Sequence, residues 1–119
     1  MPTDLTVRME NEPGALAQVG EALGAAGVNI EAVAGFGMDN HGRVHLVVDD
    51  ADAAKAALKA AGLTLEAERE ALEVTLDDAP GAVGAYARKL ADRGINIEAA
   101  YIGGRAGGEV QMIFVLSED

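Results

Sequence analysis

The first half of the chain alternates between two hydrophobic periods. Leu5, Val7 and Met9 alternate with polar residues, which is the two-residue period of a strand with one buried face. From Pro13 onward, apolar side chains recur three or four positions apart as far as Gly27. We place Pro13 in the first helical turn, where a residue without an N–H is tolerated, and end the helix at Gly27. This stretch therefore predicts a strand followed by an amphipathic helix.

The rest of this half predicts a hairpin, a second helix and a final strand. Apolar residues alternate again on either side of residues 38–42, which carry turn residues. In the first strand of this hairpin, one face is predicted to hold Val28, Ile30, Ala32, Ala34 and Phe36. Residues 49–52 favour a helix start, residues 53–61 are rich in helix formers, and Gly62 precedes a strand over residues 63–67. The predicted order is βαββαβ.

The second half repeats the first at an offset of 67 residues. Residues 12–16 return as 79–83, and residues 27–32 return as 94–99. Between Pro13 and Ala32, nine of the 20 positions are identical in the second copy, and no gap is needed. We therefore predict two units of one kind, residues 1–68 and residues 69–119.

The second unit is predicted to be truncated to βαββ. Its segments are a strand over residues 72–76, a helix from Pro80 to Arg93, a strand over residues 95–102, a turn over residues 103–108 and a strand over residues 110–116. The strand over residues 72–76 is then an unpaired sheet edge, which another strand is expected to cover. Ile113 and Val115 face away from the helices and need shelter. Both features favour a homo-oligomer, most simply a dimer. The fold class is α+β, with antiparallel sheets and helices on one face.

Composition narrows the function classes. The net charge is −11, which repels nucleic acids, and the absence of Cys excludes disulfides, thiolate metal sites and cysteine nucleophiles. No apolar run approaches the roughly 18 residues of a membrane span, and the N-terminus has no basic start or apolar stretch. We expect a cytoplasmic protein without a membrane or nucleic-acid partner and without a cofactor.

The loop that precedes each first helix carries the distinctive chemistry. In residues 11–14 and 78–81, a Pro-Gly pair leads into a helix whose unpaired first-turn amides favour an anion such as a carboxylate. Asn11 and Asn29 could flank a small zwitterion, since an amide side chain both donates and accepts. Alternatively, both asparagines serve only as capping and turn residues.

These loops and the Gly-x-Asn-Ile segments that follow the helices resemble the ACT domain family. That family consists of small ferredoxin-like βαββαβ modules that bind amino acids and regulate metabolic enzymes. The resemblance implies ligand binding where modules meet, by the first loop and the start of the second strand. In the first unit, these positions are Asn11, Gly14, Ala15, Leu16, Asn29 and Ile30. In the second unit, they are Asp78, Gly81, Ala82, Val83, Asn96 and Ile97.

The resemblance implies a stand-alone tandem regulatory protein that is not an enzyme. Its partners would be a small amino acid, a second copy of the chain and a metabolic enzyme. The alternative is a ligand-free dimerisation platform for such an enzyme. Asp78, in place of Asn11, is expected to repel a ligand carboxylate, so the two sites are expected to differ.

Two other patterns predict little chemistry. His41 and His45 have the spacing of a metal pair, but this spacing runs through a hairpin turn. Glu31 and Glu98 occupy repeated outward strand positions and are interpreted as solvated side chains instead of an acid–base pair.

Overall fold

The computed structural model describes residues 2–117 and divides the chain into two compact units. One unit is Thr3–Arg69, and the other contains residues 70–117 together with Pro2.

The first unit has the predicted βαββαβ order. Its elements are β1 (Thr3–Glu10), α1 (Ala15–Ala25), β2 (Ile30–Met38), β3 (His41–Val48), α2 (Ala51–Ala60) and β4 (Thr64–Glu70). The sheet order is β2-β3-β1-β4, and β3 pairs antiparallel with both β1 and β2. The helices cover one face of this sheet through a core of fully or nearly buried side chains: Leu5, Val7, Val19, Leu23, Val28, Val44, Leu46, Ala54 and Leu58.

The second unit has the predicted βαββ order. It consists of β5 (Leu72–Asp77), α3 (Ala82–Asp92), β6 (Ile97–Ala106) and β7 (Glu109–Leu116), with sheet order β5-β7-β6. Leu90, Met112 and Phe114 form its buried core, and the rings of Tyr86 and Phe114 stack with centroids 5.4 Å apart. Within the described residues, β5 is an edge of this sheet, as predicted.

Both predicted helix starts were two residues early. Gly14 and Gly81 are the N-cap residues, at φ +89° and +88°, so Pro13 and Pro80 lie in the preceding turn and not in the helix. A left-handed backbone at the cap is a conformation that glycine adopts without a steric penalty. The Pro-Gly pair therefore shapes the loop, and the helix begins after it.

The predicted single apolar face of β2 was wrong because the strand contains a bulge. The register shifts between Ile30 and Ala32. A shift of one residue moves all later side chains to the other face. Ile30 packs on the helix side with the core, whereas Phe36 lies opposite Arg43 on the other face and is 48% exposed.

Both predicted hairpin turns were too long. The β2–β3 turn is Asp39-Asn40, with Asp39 at φ +56°, and the β6–β7 turn is Gly107-Gly108, with both φ values positive. Two-residue turns with positive φ match the twist of the flanking strands. The glycines before residue 107 thus belong to β6.

Ile113 and Val115 are 1% and 0% exposed in the single chain. They lie on the face away from the helices, as predicted.

Candidate functional site

The β1–α1 loop ends in a helix start that no side chain caps. Ala15 N–H bonds to Glu12 O at 3.2 Å and Gln18 N–H to Gly14 O at 2.9 Å, but no acceptor among the described residues reaches the amides of Leu16 and Ala17. Helix α2 differs, because the Asp50 side chain accepts a hydrogen bond from Ala53 N–H at 3.0 Å. The first turn of α1 therefore offers open amide donors at the positive end of the helix, which suits an anionic group.

Asn11 holds this loop against the β2–β3 turn. Its Nδ2 donates to Asp39 O at 3.0 Å, and its backbone N–H donates to Asn40 O at 3.0 Å. The side-chain amide of Asn11 also lies directly over Gly37, so a Cβ atom on residue 37 would overlap with that amide. The side-chain amino group of Asn11 is thus engaged in positioning the loop, and direct ligand binding by Asn11 stays a prediction.

Asn29 lies at the opposite end of the sheet. Its backbone N–H donates to Asp49 Oδ1 at 2.9 Å, and its carbonyl accepts from Asp49 N–H at 3.1 Å. Its side chain is exposed and has no hydrogen bond within the described part of the chain. Ile30, which follows, packs against the core.

Within one unit, the loop and the start of β2 cannot flank the same small ligand. Asn11 contacts the turn after β2, whereas Asn29 precedes β2, and nine extended residues span about 30 Å. Helix α1, whose eleven residues span about 16 Å, separates the open amides near Leu16 from Asn29. The two halves of the predicted site can come together only if a second module supplies one of them.

The second unit repeats the loop geometry. Helix α3 also lacks a side-chain cap, and among the described residues no acceptor reaches the amides of Val83 and Gly84. Leu16 and Val83 occupy equivalent positions at these helix starts and are 55% and 41% exposed. Each loop therefore combines open amides with an exposed apolar side chain.

The charges at the two loops differ. Asp78 donates its backbone N–H to Gly108 O at 2.9 Å, and its Oδ2 lies 3.1 Å from Arg105 Nε. Arg105 occupies the position that Gly37 occupies in the first unit. Arg105 lies three residues before Gly108, which accepts from Asp78 N–H, and Gly37 lies three residues before Asn40, which accepts from Asn11 N–H. The Asn11–Gly37 contact is thus replaced by an Asp78–Arg105 ion pair. The expected repulsion of a ligand carboxylate by Asp78 is therefore offset by Arg105.

The start of β6 is more engaged than the start of β2. Asn96 Nδ2 donates to Ser117 Oγ at 2.8 Å, and Ser117 Oγ donates to Glu98 Oε1 at 2.8 Å. Ile97, like Ile30, packs against its own core. The Asn96 amide is hydrogen-bonded within its unit, whereas the Asn29 amide has no hydrogen bond among the described residues.

Sequence analysis missed a buried polar cluster in the first unit. Asp4 is fully buried, accepts a hydrogen bond from Thr6 Oγ1 at 2.7 Å, and lies 3.0 Å from His45 Nδ1. The only sequence signal was an acidic residue within an otherwise alternating strand. His45 therefore contacts a carboxylate on β1, and the residues that the structure describes contain no cluster of three or more metal-ligating side chains. Glu31, as predicted, is exposed.

Comparison with known proteins identifies the module. The family described as "ACT domain" matches residues 3–61, which covers nearly all of the first unit. The first unit is an ACT domain. The second unit shares its repeat and the first part of its topology, and none of the curated protein sequences matches the chain significantly.

Solved structures share this fold at low identity. Protein BT0572 from Bacteroides thetaiotaomicron aligns with a TM-score of 0.86 and 23% identity, over 98% of this chain and 79% of that one. The ligand-free regulatory subunit of aspartate kinase from Thermus thermophilus aligns with a TM-score of 0.74 and 19% identity, over 95% and 82%. The equivalent subunit from Thermus flavus gives 0.71 and 19%, over 95% and 82%. These likenesses establish a shared α+β ferredoxin-like architecture for this chain. No helix in residues 2–117 is both long and apolar enough to cross a membrane.

Proposed function

We propose that this chain is a non-enzymatic regulatory protein that binds a small α-amino acid at its β1–α1 loop. The observation that supports this proposal is the uncapped start of α1 in an ACT domain. The N-cap residue there is Gly14, at φ +89°, and the backbone amides of Leu16 and Ala17 are open. A carboxylate accepts from such amides, and the helix dipole favours its charge.

The proposed site is shared by two modules in a homo-oligomer. The loop of one copy supplies the amide donors, and the start of β2 in a second copy supplies the Asn29 side chain. This arrangement follows from the separation of about 16 Å or more between these groups within one unit. It also uses the exposed Asn29 amide, which the described part of its own unit leaves without a hydrogen bond.

Regulation follows from a ligand that contacts two modules. Such a ligand stabilises only the arrangement that brings both modules together, so occupancy shifts the association equilibrium. The partner that responds is a metabolic enzyme. Two of the structures that share this fold are regulatory subunits of aspartate kinase, which supports an enzyme partner.

Isothermal titration calorimetry with each of the twenty amino acids tests the proposal. We expect one or a few small amino acids to bind, and Asn29→Ala to weaken that binding about tenfold, because a hydrogen bond to a charged group is lost. Glu73→Ala is the control, because this residue is exposed on β5 of the second unit and belongs to neither half of the proposed site. Absence of binding for all twenty amino acids would contradict the proposal.

The alternative is a ligand-free dimerisation platform. The engagement of Asn11 with the β2–β3 turn and the exposed Leu16 and Val83 favour it, because both features also suit a protein interface. In that case, Leu16→Asp would abolish association, and no amino acid would change the oligomeric state in sedimentation.

A further inference from the structure

Strand β5 leaves one edge of the second sheet unpaired within the described residues. The sheet order is β5-β7-β6, and β5 pairs with β7 from Leu72 to Asp77 without a register shift. The side chains of Leu72, Val74 and Leu76 pack on the helix side of this sheet but are only partly buried. An unpaired edge with an apolar face is a template for another strand.

The equivalent strand of the first unit is completely covered. Leu5 and Val7 match Leu72 and Val74 at the repeat offset, and both are 0% exposed. Helix α2 contributes to the core around them, and β4 lies beside β1 in the sheet. Residues 70–117 contain no counterpart of α2 or β4. The apolar face of β5 therefore lacks the cover that its repeat partner has.

β5 is the least protected of the four edge strands that the described residues form. β2 and β6 both contain register shifts. Four of the seven residues of β4 are charged, and Glu66 and Glu68 form ion pairs with Arg43 and Lys55. β5 has no bulge, Gly, Pro or Lys, and its two charges lie on the face opposite the apolar one. Since bulges and charges protect edges from pairing, β5 is the edge best suited to accept a strand.

The sequence of β5 is self-complementary. Its apolar positions, Leu72, Val74 and Leu76, read the same in both directions about Val74. In an antiparallel pair of β5 strands centred on Val74, Leu72 of one copy lies opposite Leu76 of the other, and Val74 lies opposite itself. On the other face, Glu73 lies opposite Thr75.

Charge selects this register. The two adjacent registers that keep the apolar faces together place Glu73 opposite Glu73, or Glu73 opposite Asp77. Like charges directly opposite each other destabilise a strand pair. Of these three registers, only the one centred on Val74 places Glu73 opposite an uncharged side chain.

We propose that two copies of this chain associate through β5, antiparallel and centred on Val74, to form one six-stranded sheet. The interface is isologous, because the same strand is used by both copies. The partly buried Leu72 and Leu76 of each copy then cover those of the other, and the backbone groups of the two edges pair. The interface contains neither Asn29 nor the β1–α1 loop, so it goes beyond the proposed function and requires no ligand.

Disulfide cross-linking tests the register, because the chain contains no cysteine of its own. Directly opposite Cα atoms in antiparallel strands lie about 4.5–5.5 Å apart, within disulfide range, whereas diagonal neighbours lie about 7–8 Å apart. On oxidation, Val74→Cys is expected to form a covalent dimer in non-reducing electrophoresis. Glu73→Cys and Thr75→Cys are expected to cross-link to each other when mixed, and much less when each is oxidised alone.

Charge variants of Thr75 test the same pairing by sedimentation velocity without any amino acid. Because each dimer contains the 73–75 pair twice, Thr75→Lys is expected to tighten the dimer about fivefold and Thr75→Glu to weaken it about fivefold. Both variants lose the hydrogen bond from Thr75 Oγ1 to Gln111 Oε1, so opposite signs isolate the charge. Thr64→Lys and Thr64→Glu are the matched controls, because Thr64 is exposed on β4 of the first unit. These controls should change the dimer affinity far less.

The outcomes separate this interface from the proposed function. A dimer that forms without an amino acid, persists in Asn29→Ala and cross-links through Val74→Cys supports the interface, even if no amino acid binds at the loop. A chain that stays monomeric at every concentration would overturn the proposal and leave the edge to a strand of another protein. Dimers that do not cross-link through Val74→Cys, or equal effects of the two Thr75 charge variants, would also overturn it.

Discussion

The side-chain amide of Asn11 packs over Gly37 and helps to hold the β1–α1 loop in place. The substitution Gly37→Ala perturbs this contact directly. The added methyl group occupies the space of the Asn11 amide, so that side chain must move and lose its hydrogen bond to Asp39 O. A hydrogen bond of this kind contributes about 0.5–1.5 kcal/mol to the free energy of unfolding. Alanine in a strand is more stable than glycine by about 0.5–1 kcal/mol, so the two effects of Gly37→Ala nearly cancel in the wild-type chain.

A double-mutant cycle separates these effects. In an Asn11→Ala background nothing remains to be displaced, and Gly37→Ala should stabilise the protein by about 0.5–1 kcal/mol. The coupling between the two substitutions is therefore expected to be about 1 kcal/mol. The free energies of unfolding would be measured by urea titration with circular dichroism.

Gly104→Ala is the matched control. Gly104 lies in β6 of the second unit, and an added Cβ there would meet no atom within 4 Å. This substitution should stabilise the protein by about 0.5–1 kcal/mol in any background. If Gly37→Ala stabilises the wild-type protein as much as Gly104→Ala does, or if the coupling stays under about 0.3 kcal/mol, Asn11 does not hold the loop in this way.

Three further predictions concern the fold. Asp50→Ala should lower the free energy of unfolding by about 1 kcal/mol in urea titrations, because Ala53 N–H loses its cap, whereas a change of under 0.3 kcal/mol would show that the cap contributes nothing. Leu58→Ala should cost about 2–5 kcal/mol in the same assay, because the side chain is fully buried, and a loss below 1 kcal/mol would contradict that burial. The pKa of Lys55 lies above its ordinary value, chiefly because its ammonium donates a hydrogen bond to Glu68. Glu68→Gln should therefore lower this pKa in NMR titrations. Any stability that Lys55 contributes is present below pH 10.5 and is lost as the pH rises through the higher folded-state pKa.

The element order was predictable because hydrophobic periodicity and the repeat report directly on burial. Leu5 and Val7 on β1, and Val19 and Leu23 on α1, face the core as the pattern required. Because the sequence repeats at an offset of 67 residues, the strands and helix predicted in the first unit also predicted their counterparts in the second unit. The order of elements in both units follows from these signals.

Local backbone geometry was less predictable. The bulge between Ile30 and Ala32 leaves no signal in an alternating apolar run, yet it reverses the face of every later residue in β2. The Pro-Gly pair fits two geometries, and only the positive φ of Gly14 shows that the helix starts after it.

The sequence predicted the loop of the candidate site correctly, but it did not predict how far Asn11 and Asn29 lie from each other within one unit. Sequence alone placed Asn11 and Asn29 beside one ligand, because positions near the two ends of a helix appear adjacent when only residue types are compared. The structure separates them, because Asn11 contacts Asp39 and Asn29 contacts Asp49 at opposite ends of β2.

Complementation between two damaged chains tests the shared site most directly. Leu16→Asp should disable the loop half by placing a negative charge beside the open amides, and Asn29→Ala should disable the strand half. Each variant alone is expected to bind the amino acid that the wild-type chain selects more weakly than the wild type does, about tenfold more weakly for Asn29→Ala. In an equimolar mixture, mixed dimers contain one intact loop opposite one intact Asn29, so calorimetry should detect partial recovery of binding at wild-type affinity. Mixed dimers that form but recover no binding would contradict a site built from two modules.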